Sequence, residues 1–272
     1  NIKILLIDLF NKKNLYTNEI NNFCIEIKNK CNVKIISIGD FRNQSLAVDY
    51  LIVPQFLKNK SIKNKDNISA GLNCIPFSDK LKKIRTESVK KSKLANILVF
   101  ISGSDPSNIS YEIVKGLKNK KFENIKINVI LNKTINRHNY KNVENIIKEN
   151  KNIKIYNFNK DNFYNLLRVS DLNISGEGLS MIESVFIKKP TLVIKYFNKN
   201  YSNLFFLKLL KSKNLINYLD FNKKLRDFSS TLEKKIIFAF KNYSPNKNSF
   251  FKDFREFDLN KIIERTLKSE IK

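Results

Sequence analysis

Short apolar runs rich in β-branched residues alternate along the chain with longer stretches whose apolar positions recur every three or four residues. The short runs have the length and composition of buried strands, and the longer stretches have the period of helices that turn one face to a core. Strand and helix alternating many times is typical of βαβ units around a mostly parallel sheet. The pattern therefore predicts an α/β fold.

Residues 1–90 are predicted to form a first lobe around a small sheet. Its strands are predicted over 2–8, 33–38 and 50–53, with a helix over 15–30, a polar lysine-rich loop over 58–65, and a basic helix or connector over 79–93. The chain starts at Asn1 inside the first apolar run, and its only methionine is Met181. We therefore expect the natural start to lie upstream and the N-terminal lobe to be incomplete here.

Residues 91–220 are predicted to form a second lobe in which crossover helices join five strands. The strands are predicted over 97–101, 125–131, 153–156, 172–174 and 191–194, and the helices over 107–118, 139–149, 161–169, 179–187 and 201–211. Parallel strands joined in this way form a doubly wound sheet, which binds ligands in the crevice at the carboxyl ends of its strands. The loops after residues 101 and 174 are the expected places for a site.

Residues 221–272 are predicted to be a C-terminal helical segment, with helices over 225–242 and 250–269 separated by Ser244-Pro245-Asn246. The last helix has a face apolar enough to dock against a lobe or a partner, formed by Phe250, Phe251, Phe254, Phe257 and Leu259.

The chain carries 51 Lys and Arg against 25 Asp and Glu, a formal net charge of +26, which first suggests nucleic acid or an acidic membrane surface as the partner. The positive charge is nearly all lysine, however, and the arginines are few and scattered. Specific recognition of phosphates and bases favours the planar arginine fork. We therefore predict solvated lysine-rich faces and no specific nucleic-acid site.

The cysteines argue for a reducing compartment. Cys24, Cys31 and Cys74 are odd in number and form no C-x-x-C pair, and His138 is the single histidine. This composition predicts neither a disulfide framework nor a zinc site, so the cytoplasm is the expected location. No apolar run approaches the roughly 18 residues that span a bilayer.

The loop after residue 101 has the composition of an anion site. It runs Ser102-Gly103-Ser104-Asp105-Pro106-Ser107-Asn108. Gly103 permits a tight turn, Asp105 is a good N-cap, and Pro106 suits the first helical position. Small residues leave backbone N–H groups and the positive helix end open to a phosphate, although the same residues also make an ordinary capped helix start.

The loop after residue 174 is of the same kind and runs Ser175-Gly176-Glu177-Gly178-Leu179-Ser180. Its two glycines allow close backbone approach, and its two serines supply hydroxyls. Glu183 follows Ser180 by three residues and therefore lies on the same helical face near the N-terminal end. A carboxylate accepts two hydrogen bonds at once and suits a ribose diol, whereas the ordinary alternative is an acid that complements the helix dipole.

These loops and the segments around them carry a resemblance to a known family. The segments are Ile97-Leu98-Val99-Phe100-Ile101, Asn152-Ile153-Lys154-Ile155-Tyr156, Ser170-Asp171-Leu172-Asn173-Ile174 and Pro190, which opens the next strand. Together with the loops they resemble the UDP-sugar hydrolases of pseudaminic-acid biosynthesis, a family similar to the peptidoglycan N-acetylglucosaminyltransferases. The resemblance implies a GT-B-like α/β fold with two Rossmann-type lobes and parallel sheets. Residues 4–8, 35–40 and 49–55 resemble later strands of the family's N-terminal domain.

The resemblance also implies a set of nucleotide-binding residues, with no cofactor and no metal. The diphosphate would be held by Gly103, Ser104 and the helix start, the nucleotide by Ser175, Gly176, Gly178 and Ser180, and the ribose by Glu183. Asp105 also belongs to the nucleotide-binding set, and Asn200 matches the Asn of a family Asn-Gln pair.

Three positions in or near the nucleotide loops depart from the family's pattern. Ser102 stands where a second glycine is usual, Glu177 stands where a small neutral residue is usual, and Tyr201 replaces the Gln of the pair. A carboxylate near a diphosphate repels it unless it points away.

The family's catalytic residues have no match in this chain. The catalytic histidine of the family lies in an N-terminal G-x-G-H loop, which the sequence lacks, and Phe10 stands where a tyrosine is usual. His138 precedes a predicted helix at a position where related sequences carry a non-catalytic histidine. The catalytic residues are therefore unassigned, and a fused domain or partner is expected to supply the missing segment.

The implied activity is that of a UDP-sugar hydrolase that cleaves UDP from a deoxy amino sugar in nonulosonic-acid biosynthesis. A GT-B glycosyltransferase with a UDP-sugar donor and a catalytically degenerate nucleotide-sugar-binding protein are alternatives that use the same donor site. An RNA-binding protein is a third class, and a titration against salt separates it, because binding to a phosphate backbone weakens steeply as salt rises.

Overall fold

The computed structural model describes residues 3–9, 17–39, 45–54, 66–71, 74–87, 92–102, 105, 108–132, 137–196, 204–221, 227–244 and 258–268. Its contacts divide the chain into two compact units. The first unit is formed by Asn1–Phe77 and Ser249–Lys272, and the second by Ser78–Asn248.

The first unit contains a parallel sheet with the strand order β1-β2-β3-β4. Its elements are β1 Ile4–Leu9, α1 Thr17–Cys31, β2 Lys34–Gly39, β3 Tyr50–Val53, β4 Ile68–Ala70 and the C-terminal helix α9 Leu259–Lys268. Three strands were predicted here, whereas the described residues form four. The prediction missed β4, because this strand is only three residues long and shows no usable periodicity.

The second unit contains a six-stranded parallel sheet in the order β10-β9-β8-β5-β6-β7. In chain order its elements are α2 Asp79–Glu87, β5 Asn96–Phe100, α3 Ile109–Leu117, β6 Lys126–Leu131, α4 Arg137–Lys148, β7 Ile153–Asn157, α5 Lys160–Val169, β8 Leu172–Gly176, α6 Leu179–Phe186, β9 Thr191–Lys195, α7 Leu204–Ser212, β10 Ile216–Asp220 and α8 Phe228–Lys241, with a short 3-10 turn at Lys120–Phe122. The predicted doubly wound sheet is confirmed. The sequence analysis missed β10, the edge strand that follows α7.

Apolar side chains cover both faces of the six-stranded sheet. Ile97 and Val99 of β5 point into a core that α3, α4 and α8 close, whereas Phe100 contacts Phe163 of α5 on the opposite face. Since helices pack on both faces, the strands are buried and read as nearly continuous apolar runs. The carboxyl ends of these strands are consequently the edge where loops can form a ligand site.

The two units have bounds that differ from the predicted segments 1–90, 91–220 and 221–272. The helix α2 contacts α5 of the second unit, and α8 packs on α3 and on the β8–β10 strands, so both helices belong with the larger sheet. Ile262 and Ile263 of α9 instead pack against Ile36 and Ile52 in the first unit. Of the predicted last helix, the four phenylalanines at 250, 251, 254 and 257 lie outside the described residues, as does the predicted loop 58–65.

Candidate functional site

The strand order of the larger sheet reverses between β5 and β8. From β5 the chain winds outward through β6 and β7, and from β8 it winds the other way through β9 and β10. Val99 pairs with Ile174 and Phe100 with Ser175 across this junction, so the loops that follow β5 and β8 leave the sheet side by side. A reversal of this kind opens a crevice at the carboxyl ends of the strands, where doubly wound proteins bind ligands. The two loops selected from the sequence are therefore neighbours.

Gly176 ends β8, and its lack of a side chain is required by packing. A Cβ at this position would lie 2.5 Å from the Ile101 carbonyl oxygen and 3.0 Å from the Tyr196 ring. The Gly176 N–H donates to that same carbonyl oxygen at 3.1 Å. The close backbone approach predicted for the glycines is therefore present at Gly176, where the end of β8 packs directly against the end of β5.

Gly178 is a different kind of glycine. Its φ of 178° is extended backbone, and a Cβ there would meet nothing within 4 Å. The residue opens α6 without any side-chain cap. Because the first N–H groups of a helix have no partner within it, the start of α6 presents donors and a positive helix end beside open space.

The start of α3 is arranged in the opposite way, because a carboxylate already occupies it. Asp105 is 2% exposed, and its two oxygens accept hydrogen bonds from the N–H groups of Ile109 and Ser110, both at 2.9 Å. The Ser102 hydroxyl accepts from the Asp105 N–H at 2.9 Å. The Asp105 side chain therefore caps the start of α3, but the N-cap position predicted for Asp105 is occupied by Asn108, because α3 begins later than predicted, at Ile109. The contact of Asp105 with a nucleotide stays a prediction. Of the two helix starts, that of α6 is the one without a capping side chain.

Some of the predicted site residues lie outside the described residues. These are Gly103, Ser104 and Asn200, together with Tyr201 and Phe10 among the positions that depart from the family. His138 lies in the first turn of α4, which begins two residues earlier than predicted.

A cavity of about 300 Å³ lies at the junction of the two loops, a volume at the lower end for small-molecule sites. Ser180 and Glu183 of α6 line it together with Gly178, so the structure brings three of the predicted residues into one pocket. Ser175 is fully buried within β8, and Gly176 does not line the cavity. Their predicted contacts with a nucleotide stay predictions.

Glu183 is held in the pocket by a neighbouring helix. The Tyr164 hydroxyl of α5 donates to Glu183 Oε1 at 3.1 Å. Burial raises the pKa of Glu183 above its ordinary value, while the Tyr164 hydrogen bond and the positive charge of Lys160 oppose that rise. A fixed carboxylate beside an open cavity is a hydrogen-bond acceptor that is ready for hydroxyl groups of a ligand.

Aromatic side chains also line the cavity, and these residues were not among the predicted site residues. The rings of Phe100 and Phe158 stack with their centroids 5.0 Å apart and an interplanar angle of 11°. Phe163 and Tyr164 extend the wall, and Lys160 lies at its edge. A usable signal existed, because Phe158 and Lys160 directly follow β7, at the same edge of the sheet as the two selected loops.

Glu177, which the sequence analysis noted as a departure from the family, forms part of the cavity wall. Its Oε1 atom is buried and accepts no hydrogen bond from the described residues. Burial raises the pKa of Glu177 to about 7; the charge of Lys195 lowers it, and the charge of Asp220 raises it. A carboxyl group so placed changes its charge near neutral pH.

The raised pKa of Glu177 predicts a stability effect of defined sign. The folded protein binds this proton more tightly than the unfolded chain, so the resulting stabilisation is complete below the ordinary pKa of 4.5 and is lost as the pH rises through about 7. Because the Glu177 side chain is only half-buried, solvent screening reduces the effect, and Glu177→Gln, which does not ionise, should gain about 1–2 kcal/mol relative to the wild type between acid and mildly alkaline conditions. Urea unfolding on both sides of neutrality measures the gain. Glu144→Gln, at an exposed position of α4, is the control and should show no such difference; an equal response of both variants contradicts the prediction.

Within the described parts of the chain, no group of three or more His, Cys, Asp or Glu side chains is placed to hold a metal ion. The helices described there include none that is long and apolar enough to cross a membrane. Cys24, Cys31 and Cys74 are not joined to one another in a disulfide.

Comparisons with known proteins establish similarity in fold. No protein-family model matches the chain. An uncharacterised protein of Methanocaldococcus jannaschii is 30% identical over 152 residues, which are 53% of this chain and 31% of that protein. The UDP-GlcNAc 2-epimerase of Neisseria meningitidis, solved with UDP-GlcNAc bound, has a TM-score of 0.54 at 13% identity, over 95% of this chain and 83% of its own. TarM has a TM-score of 0.51 at 15% identity, over 97% of this chain and 54% of its own.

These relatives agree with the predicted class of fold. The chain has a GT-B-like α/β architecture with two parallel sheets, as the sequence predicted. It spans less than a third of the Methanocaldococcus protein and about half of TarM. At these levels of identity the solved structures support the fold and leave the activity to be argued from the site.

Proposed function

We propose that the second unit binds a UDP-sugar in the cavity between the β5, β7 and β8 loops. The observation that carries the proposal is the pairing of an aromatic wall with a fixed carboxylate at the strand-order reversal. Phe158 offers a ring face on which a nucleobase can stack, and Glu183 offers carboxylate oxygens to the ribose hydroxyls. The uncapped start of α6, next to Gly178, is suited to the negative charge of the diphosphate.

The assignment to UDP is supported by the resemblance of the sequence to UDP-sugar hydrolases. The solved epimerase of similar fold is itself bound to UDP-GlcNAc. On this basis Gly103, Ser104, Asp105 and Asn200 are proposed to lie near the phosphates, with Ser175 and Gly176 supporting the turn beneath them. The proposal includes no cofactor and no metal, and on the cysteine argument it places the protein in the cytoplasm.

The predicted effect of Glu183→Ala is a loss of affinity for UDP. The variant loses the acceptor for the ribose hydroxyls, and removing a charged hydrogen-bonding partner of this kind should weaken binding by about tenfold or more. Calorimetric titration of UDP at moderate salt measures the change. Glu144→Ala, which removes an equal charge from an exposed position on α4, is the matched control and should bind as the wild type does.

A second ligand separates a ribose contact from a general loss of the pocket. Removal of the 2′-hydroxyl, as in 2′-deoxy-UDP, should weaken binding to the wild type and have little further effect on Glu183→Ala, because the group that recognises the hydroxyl is already absent. Folded protein that binds no UDP would overturn the proposal. An equal effect of the 2′-deoxy ligand on both proteins would reassign Glu183.

We further propose hydrolysis of the UDP-sugar as the reaction, with a deoxy amino sugar as the sugar class and nonulosonic-acid synthesis as the setting. The diphosphate leaving group would be stabilised by the backbone N–H groups at the start of α6. Release of UDP from a UDP-sugar in the absence of any acceptor supports hydrolysis, whereas release that requires an added sugar acceptor supports a transferase. Binding without turnover by either route supports a binding protein that has lost catalysis or that requires a partner.

A further inference from the structure

We propose, resting on the function proposed above, that Glu177 is a protonation gate: the diphosphate binds at the start of α6 while the Glu177 carboxyl is uncharged, and is repelled once that carboxyl ionises. The inference goes beyond the donor site itself, because it makes affinity for the nucleotide sugar depend on pH through a residue that need not touch the base or the ribose.

The position of Glu177 supports the gate. The residue lies in the turn between β8 and α6, adjacent to Gly178, and both residues line the cavity. The N–H groups at the start of α6 therefore share one small volume with a carboxyl group. When that group is ionised, like charges meet at short range in a partly desolvated site, where Coulomb repulsion is screened less than in water.

The hydrogen bonding of Glu177 does not stabilise its ionised form. Oε1 is shielded from solvent and accepts no hydrogen bond from the described residues. An ionised carboxylate in this position has no hydrogen-bond donor at its buried Oε1 among the described residues, whereas a protonated carboxyl group next to a phosphate can donate its own hydrogen.

The neighbouring charges do not hold Glu177 in the ionised form. Lys195, at the end of β9, donates to Asp220 Oδ1, at the end of β10, at 2.9 Å. Its positive charge is therefore balanced by a second carboxylate close to Glu177. Of the residues that the structure describes, the other titratable groups near the turn or the cavity are Tyr196 after β9, Asp105 after β5, Lys160 and Tyr164 of α5, and Glu183 of α6. Burial accordingly dominates and raises the pKa of Glu177 to about 7.

The test is a titration with UDP-N-acetylglucosamine at a series of pH values. Its diphosphate is a diester and keeps a constant charge from mildly acid to mildly alkaline solution, so a change in affinity reports on the protein. For the wild type the dissociation constant should rise by up to about tenfold per pH unit above about pH 7, and for Glu177→Gln it should stay level over the same range. Uridine, which has no phosphate, should show no difference in pH dependence between the two proteins.

Glu183 also lines the cavity and has a raised pKa, so its contribution must be separated. Glu183→Gln should bind more weakly but keep the pH dependence of the wild type. Glu177→Ala provides a second variant that removes the charge, and it should bind with the same level profile as Glu177→Gln.

Each outcome of these titrations either supports or overturns the gate. A level profile confined to the Glu177 variants supports the gate. The same pH profile in the wild type and in Glu177→Gln overturns it while leaving the proposed donor site standing, and so does a level profile that appears in Glu183→Gln. Failure of folded wild-type protein to bind UDP-N-acetylglucosamine at any pH overturns the gate together with the proposed function.

Discussion

Gly176→Ala is expected to destabilise the second unit by about 2–4 kcal/mol. The added Cβ would lie 2.5 Å from the Ile101 carbonyl oxygen, a backbone atom that cannot rotate away. Relief of the clash requires the ends of β5 and β8 to separate, which also weakens the hydrogen bond from the Gly176 N–H to Ile101. Urea unfolding followed by circular dichroism measures the loss, and reduced binding of UDP by the fraction that remains folded should accompany it.

The matched control is Gly178→Ala, two residues away in the same turn. Its φ of 178° is accessible to alanine, and the new Cβ meets no protein atom within 4 Å. The change in unfolding free energy should therefore stay within about 0.5 kcal/mol of the wild type. Equal destabilisation by the two alanines would contradict the close approach described for Gly176.

Asp105→Ala is expected to cost about 2–4 kcal/mol of stability. The substitution removes the acceptors for two N–H groups at the start of α3 and leaves both donors unsatisfied in a buried position. The Asp105 backbone also has a φ of 36°, a left-handed conformation that aspartate and asparagine tolerate better than alanine does. Thermal and urea unfolding at neutral pH both measure the effect.

Two milder variants make the Asp105 prediction specific. Asp105→Asn suits the same backbone and keeps one acceptor oxygen, so it should lose less stability than Asp105→Ala. Ser102→Ala removes the hydroxyl that accepts from the Asp105 N–H and that also hydrogen-bonds with Tyr196, and we expect a loss of about 1–2 kcal/mol. A Ser102→Ala variant as unstable as Asp105→Ala would show that the loop as a whole, rather than the carboxylate, supports the start of α3.

The starts of α3 and α6 differ in whether a protein side chain already occupies their N–H groups. The start of α3 is occupied by the Asp105 carboxylate, whereas the start of α6 lacks a capping side chain. An added anion therefore has N–H donors to reach at α6 without displacing a protein group. In the sequence the two loops look alike, because both contain a glycine turn and small polar residues ahead of a helix, and the family resemblance assigned the diphosphate to the start of α3.

Elements long enough to show a period could be predicted from the sequence. The strand β3 has the predicted bounds, and the predicted helix and strand over 161–169 and 153–156 each lie within one residue of α5 and β7. The strands β4 and β10 were missed for different reasons. The first is three residues long, and the second, Ile-Asn-Tyr-Leu-Asp, alternates too briefly to be distinguished from a loop after a helix.

The α/β class could be predicted from the local pattern alone, because the alternation of β-branched runs and amphipathic stretches dictates which segments can be buried as strands and which as helices. The sequence also selected Gly178, Ser180 and Glu183, which follow one another along a single turn and helix. Three properties follow only from the packing of the chain: Phe158 and Tyr164 line one cavity with Glu183, Gly176 contacts Ile101, and Glu177 is partly desolvated. These properties depend on distances between segments that are remote in the chain, which are fixed by the strand order and by packing rather than by any local pattern.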